Sequence, residues 1–144
     1  MAELFEELET ILVVDSTATV LSVVVEILKA ANFLVLHADS GHDALTLAAG
    51  HAGRIDLLLS ALKMQGMSGP DLGAILKKSR PDLHVMFTNS FPGGDLLVLN
   101  YGWAFIDKSI VPKKLLEMID VVLRTPDKSQ GSHQYYTRIE SGHE

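Results

Sequence analysis

The stretch IDLLLSALKMQGMSGPDL, residues 55–72, decides the fold. Its apolar start, IDLLL, is typical of a strand that is buried on both faces of a parallel sheet. Ser68 and Pro70 then indicate the start of a helix, since serine caps a first turn and proline needs no amide hydrogen there. Ser60 and Ala61 follow the predicted strand, at the end where open α/β sheets usually hold their functional groups.

The same order of strand and helix repeats along the chain. Strands are predicted at residues 11–14, 33–36, 55–59, 83–87 and 103–106. After most of these strands, apolar residues recur at three- and four-residue intervals, which is the spacing of one helix face. Pro92, Gly93 and Gly94 follow the fourth strand, so only a short helix is expected there, at about residues 95–100. The pattern predicts a doubly wound α/β domain, a five-stranded parallel sheet with helices on both faces.

Residues 9–124 are expected to form this domain. From residue 125 onward the sequence TPDKSQGSHQYYTRIESGHE contains a single aliphatic side chain, that of Ile139. Such a segment buries too little apolar surface to offset the entropy lost on ordering. Residues 125–144 are therefore predicted to be a mobile tail. The alternative is a docking peptide that binds through Tyr135 and Tyr136.

Composition excludes several classes of protein. The chain has 12 basic and 18 acidic residues, and its net charge of −6 disfavours nucleic acid and anionic lipid as partners. It has no cysteine, which rules out disulfides and thiolate chemistry. The amino terminus, MAELFEELET, is acidic where a secretory signal would be basic, and no apolar run reaches the ~18 residues of a membrane span. We expect a soluble cytoplasmic protein without nucleic-acid or membrane partners.

No catalytic or metal-binding motif emerges from the sequence. The six histidines stand outside the spacings that zinc enzymes use; they are His37, His42, His51, His84, His133 and His143. The segment FPGGD, residues 91–95, lacks the pattern of a phosphate-binding loop, and GMSG, residues 66–69, is more simply a helix cap than a nucleophile elbow. We therefore predict no catalytic residue and no metal ligand.

One group of positions remains, at the carboxyl ends of the predicted strands. Asp15, Ala61, Asn89 and Lys108 end or follow the first, third, fourth and fifth strands, and in a doubly wound sheet these ends converge on one crevice. With GMSGPDL after the third strand, and Lys108 of FIDKSI after the fifth, the chain resembles the receiver domain of bacterial two-component response regulators. The resemblance covers residues 9–124 and implies a flavodoxin-like sheet of strand order 2-1-3-4-5.

The resemblance also implies a phosphoryl switch. In that family an aspartate after the third strand accepts phosphate from a histidine kinase, and an acidic pair after the first strand binds Mg²⁺. A serine or threonine after the fourth strand and a lysine after the fifth contact the phosphoryl oxygens. In this chain the acceptor position is Ala61, the second acid is Ser16 and the hydroxyl position is Asn89, while Ser109 replaces the proline expected after Lys108.

These departures predict a degenerate pocket. An alanine methyl group cannot form an acyl phosphate. Asp15 with a backbone carbonyl near Lys63 is a poor site for Mg²⁺, which requires several oxygen ligands, so binding is expected to be weak or absent. With fewer carboxylates present, Asp15 and Lys108 are expected to form a neutral pair that locks the domain in one conformation.

The surface that receivers use for output is also altered. Phe105 occupies the position of the switching aromatic residue, and Leu97 and Trp103 add apolar side chains that either form a patch or belong to the core. We expect a receiver-like domain of two-component phosphorelay signalling that binds a histidine kinase or a downstream effector without phosphorylation. A homodimer through the helix 4, strand 5 and helix 5 face is a further expectation. The alternatives are a decoy for a histidine kinase, and an enzyme or small-ligand binder that uses the crevice.

Overall fold

A computed structural model describes residues 8–89, 97–98, 103–107, 112–124 and 137–138. Its described side chains are those of residues 8–88 and 112–124. The strands are β1 (Thr10–Val14), β2 (Leu34–Ala38), β3 (Leu57–Ala61), β4 (His84–Asn89), β5 (Leu97–Val98), β6 (Trp103–Asp107) and β7 (Thr137–Arg138). The helices are α1 (Ala18–Ala30), α2 (Gly41–Gly50), α3 (Gly69–Ser79) and α4 (Pro112–Arg124).

These strands form one sheet in the order β2-β1-β3-β4-β6-β5-β7. The strands β2, β1, β3, β4 and β6 run parallel to one another. Because β6 is the fifth strand of the sequence prediction, the predicted order 2-1-3-4-5 and the doubly wound α/β class are confirmed. The parallel arrangement brings the carboxyl ends of all five strands to one edge of the sheet.

Two features of the sheet differ from the prediction. The short helix expected at residues 95–100 is wrong, since Leu97–Val98 form β5, which pairs antiparallel with β6. Thr137–Arg138, inside the segment predicted as a tail, pair antiparallel with β5. The free N–H and C=O groups along the edge of β6 favour such pairing, and the preceding proline and glycines disfavour a helix. The other residues of 125–144 lie outside the described part.

Apolar side chains alternate between the two faces of the sheet, as the two-residue period of a strand requires. One layer packs under α1 and α4, and its sheet residues are Ile11, Val13, Leu57, Leu59 and Met86. The other packs under α2 and α3, and its sheet residues are Leu12, Val14, Leu58, Val85 and Phe87. Since both faces are covered, the strands are continuous apolar runs in the sequence.

The helix ends show how local sequence fixes these layers. Ser68 caps α3 as predicted, because its hydroxyl accepts from the Asp71 amide while the Asp71 carboxylate accepts from the Ser68 amide. The sequence favours Ser16 or Thr17 as the cap of α1, and Thr17 is at the cap position. Its side chain makes no capping hydrogen bond. Its amide hydrogen is bound instead by the Asp15 carboxylate. None of the described helices is long and apolar enough to cross a bilayer.

Candidate functional site

The carboxyl ends of β1, β3 and β4 meet in the middle of the sheet. Ala61 is the last residue of β3 and not the first residue beyond it, so the strand continues past the predicted end at residue 59. Val14 of β1 is in register with Ser60 of β3, so Asp15 and Ala61 are the next residues along these two adjacent segments. Ala61 is in turn opposite Thr88 of β4. The structure therefore brings Asp15, Ala61 and Thr88 to one edge.

Asp15 is a buried acid, with only 3% of its surface exposed. Its Oδ1 accepts a hydrogen bond of 2.9 Å from the backbone amide of Thr17, just before α1 begins. Its own amide donates to the carbonyl oxygen of Ala38 at 3.3 Å, across to the end of β2. A carboxylate at a helix amino terminus is stabilised by the amide groups and dipole there. Asp15 thus has a structural role besides any role in a site.

Ala61 presents a methyl group where the neighbouring strands converge. The residue is 1% exposed, and strand alternation puts its side chain on the face of Leu57 and Leu59, under α1 and α4. Ser60 faces the other way, under α2 and α3. Its Oγ is fully buried and donates to the Ala61 carbonyl oxygen at 2.9 Å. The side chains of the two residues are therefore on opposite faces of the sheet.

The backbone around Ala61 is fixed by its neighbours. The Leu62 amide donates to the Thr88 carbonyl at 2.9 Å, and the Gly69 amide donates to the Leu62 carbonyl at 3.0 Å. Any Cβ atom at Gly69 would collide with the Ala61 carbonyl oxygen, so α3 starts this close to β3 only because residue 69 is glycine. None of these contacts uses the side chain of residue 61.

Thr88 is a site residue that the sequence analysis did not single out. It is 7% exposed, and its Oγ1 is buried without a hydrogen-bond partner among the described residues. Residue 88 shares its strand face with Met86 and Ala61, whereas Asn89, the predicted hydroxyl position, is one step further along β4. The register of β4 against β3 would have revealed Thr88, but register is a tertiary property that a single strand's sequence does not contain.

The sequence model of the response regulator receiver domain matches residues 11–120 of the chain. The chain belongs to this family. Among solved structures, the receiver domain of the hybrid histidine kinase CckA is 36% identical, with a TM-score of 0.65 over 80% of this chain and 99% of that one. Comparison with curated proteins gives no match.

More distant solved structures share the receiver fold. The chemotaxis response regulator CheY4 of Vibrio cholerae is 19% identical, with a TM-score of 0.67 over 81% of this chain and 99% of that one. A response regulator receiver domain protein from Clostridium thermocellum is 22% identical, with a TM-score of 0.67 over 81% of this chain and 94% of that one. At these identities the likeness shows the fold alone.

The remaining predicted pocket residues of this receiver domain do not all lie beside Asp15 and Ala61. Ser16 and Lys63 have exposed side chains in the loops that follow β1 and β3. Asn89 ends β4 in register with Asp107 of β6. Lys108 lies outside the described residues, so its pairing with Asp15 stays a prediction.

The predicted switch and interface residues of the receiver domain lie on β5 and β6. Phe105 of β6 is in register with Phe87 of β4 on one side and with Leu97 of β5 on the other. Trp103 begins β6 opposite Val85. The backbone places all three in the sheet, but their side chains are outside the described part.

Ion pairs lie at the opposite, amino-terminal edge of the sheet. Arg124 of α4 donates two hydrogen bonds to the Glu9 carboxylate, at 2.7 and 2.9 Å, and this pairing lowers the pKa of Glu9 and raises the pKa of Arg124. Arg54 is 2.7 Å from the Asp56 carboxylate, whose other oxygen accepts from the Thr10 amide. Within the described residues, no cluster of three or more acidic, histidine or cysteine side chains could hold a metal ion.

Proposed function

We propose that this receiver domain is a phosphorylation-independent interaction module in two-component signalling and not an enzyme. The observation that carries the proposal is the methyl group of Ala61 at the end of β3, beside the buried acid Asp15. An acyl phosphate forms only on a carboxylate, and residue 61 offers none. Signalling by this chain then depends on the shape and surface of the domain.

Neighbouring residues do not supply a substitute acceptor. The Ser60 hydroxyl is on the opposite face of the sheet, fully buried and bonded to a carbonyl oxygen. Asp56 precedes β3 at the other end of the strand, where Arg54 and the Thr10 amide bind its carboxylate. The Ser60 hydroxyl is therefore on the wrong face of the sheet to replace an acceptor at residue 61, and Asp56 is at the wrong end of the strand.

The oxygen donors near Ala61 do not fit Mg²⁺. Asp15 provides a carboxylate, but one of its oxygens already accepts from Thr17, while Ser16 has an exposed hydroxyl and residue 61 has no donor. Mg²⁺ requires near-octahedral oxygen ligands and releases its water reluctantly. We expect negligible heat in a calorimetric titration with MgCl₂, and sub-millimolar binding would contradict this part of the proposal.

The partner we propose is a histidine kinase or a downstream effector in the cytoplasm. A decoy that occupies a kinase without accepting phosphate is one form of this function. An enzyme or small-ligand binder would need an open crevice at the strand ends, but Asp15, Ala61 and Thr88 are 3%, 1% and 7% exposed. These burial values favour the interaction module.

A challenge with acetyl phosphate tests the proposal. The full chain is incubated with acetyl phosphate and Mg²⁺, and intact mass is measured before and after hydroxylamine, which cleaves acyl phosphates. A receiver that carries the acceptor aspartate is the positive control. We expect no added phosphoryl group, and a hydroxylamine-sensitive adduct on this chain would overturn the proposal.

A binding experiment tests the second half of the proposal. Immobilised full chain and a chain ending at Arg124 are used to capture partners from the source cell, with and without acetyl phosphate. We expect the full chain to capture the same histidine kinase or effector with and without acetyl phosphate. Capture that requires acetyl phosphate would contradict phosphorylation independence.

A further inference from the structure

The outer face of α3 carries four exposed residues in one helical stripe. Asp71, Ala74, Ile75 and Lys78 are spaced three, four and seven residues from the first, so they lie on the same side of the helix. All four are exposed, while the intervening Leu72 and Leu76 are buried in the core. We call these four residues the α3 stripe.

The centre of the α3 stripe is apolar and lies between two hollows in the surface. Ile75 is 41% exposed and is one of the few large hydrophobic side chains that the described part leaves at the surface. It stands between two open hollows of about 540 and 530 Å³. Met67 and Ala74 line the first hollow, and Leu45 and Ala49 of α2 line the second. The small side chains of Ala74 and Ala49 leave room for another helix to approach closely.

The ends of the α3 stripe carry opposite charges. Asp71 is in the first turn of α3, and Lys78 is in its last turn. At a rise of about 1.5 Å per residue the two are roughly 10 Å apart along the helix axis, with Ala74 and Ile75 midway. The stripe is therefore acidic at one end, apolar in the middle and basic at the other end.

From this arrangement we propose that the α3 stripe is a contact surface for a second copy of this chain. A two-fold axis between residues 74 and 75 places two α3 helices antiparallel. Each Asp71 then faces the partner's Lys78, and each Ile75 packs over the partner's Ala74, in the hollow beside it. A surface is self-complementary under two-fold symmetry only if its charges reverse about the centre, as they do here.

The expected dimer is weak and salt-dependent. The charged pairs at the rim are exposed, so they set orientation more than affinity, and the apolar centre supplies most of the attraction. This contact goes beyond the proposed function and uses α3, whereas the homodimer expected from the sequence would use the predicted fifth helix, which is α4 in the structure. Its readout is mass in solution, so it succeeds or fails independently of phosphorylation and of partner capture.

Sedimentation velocity of the full chain, from micromolar to millimolar concentration, tests the proposal. We expect the weight-average mass to rise toward that of a dimer, and Ile75→Glu to weaken association by at least about tenfold, because it puts two like charges near the axis. Val121→Glu, at a similarly exposed position on α4, is the matched control and is expected to leave the association unchanged. Circular dichroism verifies that both variants are folded.

Charge reversal tests the antiparallel orientation. Asp71→Lys and Lys78→Asp each bring like charges together in a homodimer, so each variant alone is expected to associate more weakly than the parent chain. A mixture of the two restores both opposite-charge pairs and is expected to form a heterodimer. A chain that stays monomeric at all concentrations, a dimer that is lost in Val121→Glu but kept in Ile75→Glu, or a mixture that fails to associate would each overturn the proposal.

Discussion

At the scale of single residues, the chemistry of the site depends on a buried methyl group. Ala61 is next to Asp15 in the register of β1 and β3, and both are almost fully buried. In low-dielectric surroundings a second carboxylate at this point would be desolvated and repelled by the first. Alanine at residue 61 avoids a like-charge contact with Asp15 and, under the proposed function, offers no carboxylate to a phosphoryl donor.

Ala61→Asp is therefore expected to destabilise the domain at neutral pH by about 2 kcal/mol. Burial and Asp15 both raise the pKa of an introduced carboxyl group in the folded state, so the penalty is absent at acid pH and grows as the pH rises past the unfolded value. Urea unfolding at several pH values measures it. Ala61→Asn, which is similar in shape and uncharged, is the control and is expected to show no such pH dependence. Equal stability of the aspartate variant and the parent chain at neutral pH would disprove the predicted repulsion.

Thr88 leads to a second prediction at this scale. Its buried Oγ1 has no partner among the described residues, and an unpaired hydroxyl in the core is unfavourable by about 1 to 3 kcal/mol. Thr88→Val keeps the shape and removes the hydroxyl, so its free energy of unfolding is expected to be unchanged or up to about 1 kcal/mol higher. Thr88→Ser, which keeps the hydroxyl and loses the methyl group, is expected to be less stable. A marked loss in the valine variant would mean that the hydroxyl is bonded in solution.

At the scale of secondary structure elements, local pattern predicted the parallel strands and the α3 cap well. Apolar runs located β1 to β4 and β6, and Ser68 caps α3 as its sequence position indicates. The end of β3 was less predictable, since pairing with Val14 and Thr88 carries the strand through Ser60 and Ala61 although the apolar run has ended. Edge pairing likewise makes Leu97–Val98 a strand and not a helix. Both differences arise from contacts between distant segments.

Arg80 joins two of these elements. Its guanidinium donates to the carbonyl oxygens of Ala48, His51 and Gly53 at 3.0, 2.9 and 2.9 Å, so the end of α3 satisfies carbonyl groups at the end of α2 and in the loop beyond it. Arg80→Ala is expected to lower the free energy of unfolding by about 2 kcal/mol. Arg80→Lys keeps the charge but lacks the planar fork, and it is expected to recover less than half of the loss. Chemical denaturation measures both, with hydrogen exchange of α2 as a local probe; a neutral alanine variant would refute the coupling.

At the scale of the whole molecule, the carboxyl ends and the amino ends of the parallel strands carry different groups. The carboxyl ends of the strands hold the candidate site. At the amino ends, the Glu9–Arg124 ion pair ties the residue before β1 to α4, and a hydrogen bond from the Thr10 amide to Asp56 ties β1 to the residue before β3. The sequence predicted the carboxyl edge from the strand order and the resemblance to receivers. It did not predict the pairing of Glu9 with Arg124, because the two residues are 115 positions apart and only the fold brings them together.

The Glu9 and Arg124 pair gives a pH prediction for the molecule. Arg124 lowers the pKa of Glu9 in the folded state, so the pair stabilises the fold above the ordinary carboxyl value of 4.5 and this stabilisation is lost as the pH falls through the lowered folded value. Glu9→Gln is expected to reduce stability at pH 7 by about 0.5 to 1 kcal/mol, with the difference vanishing in acid. Thermal unfolding from acid to neutral pH measures this. Arg124→Gln is expected to reduce stability at pH 7 by a similar amount. If the stability difference between Glu9→Gln and the parent chain did not change with pH, the ion pair would be ruled out as its cause.

The close approach of Gly69 to the Ala61 carbonyl has a consequence for the history of the domain. The turn after the strand end is held by main-chain hydrogen bonds and by the missing Cβ atom of Gly69, and none of these contacts uses the side chain of residue 61. An alanine at residue 61 therefore leaves these bonds in place. Under the proposed function, these main-chain bonds set no structural barrier to an alanine in place of an acceptor aspartate, so receivers without an acceptor can persist for as long as their surfaces remain useful.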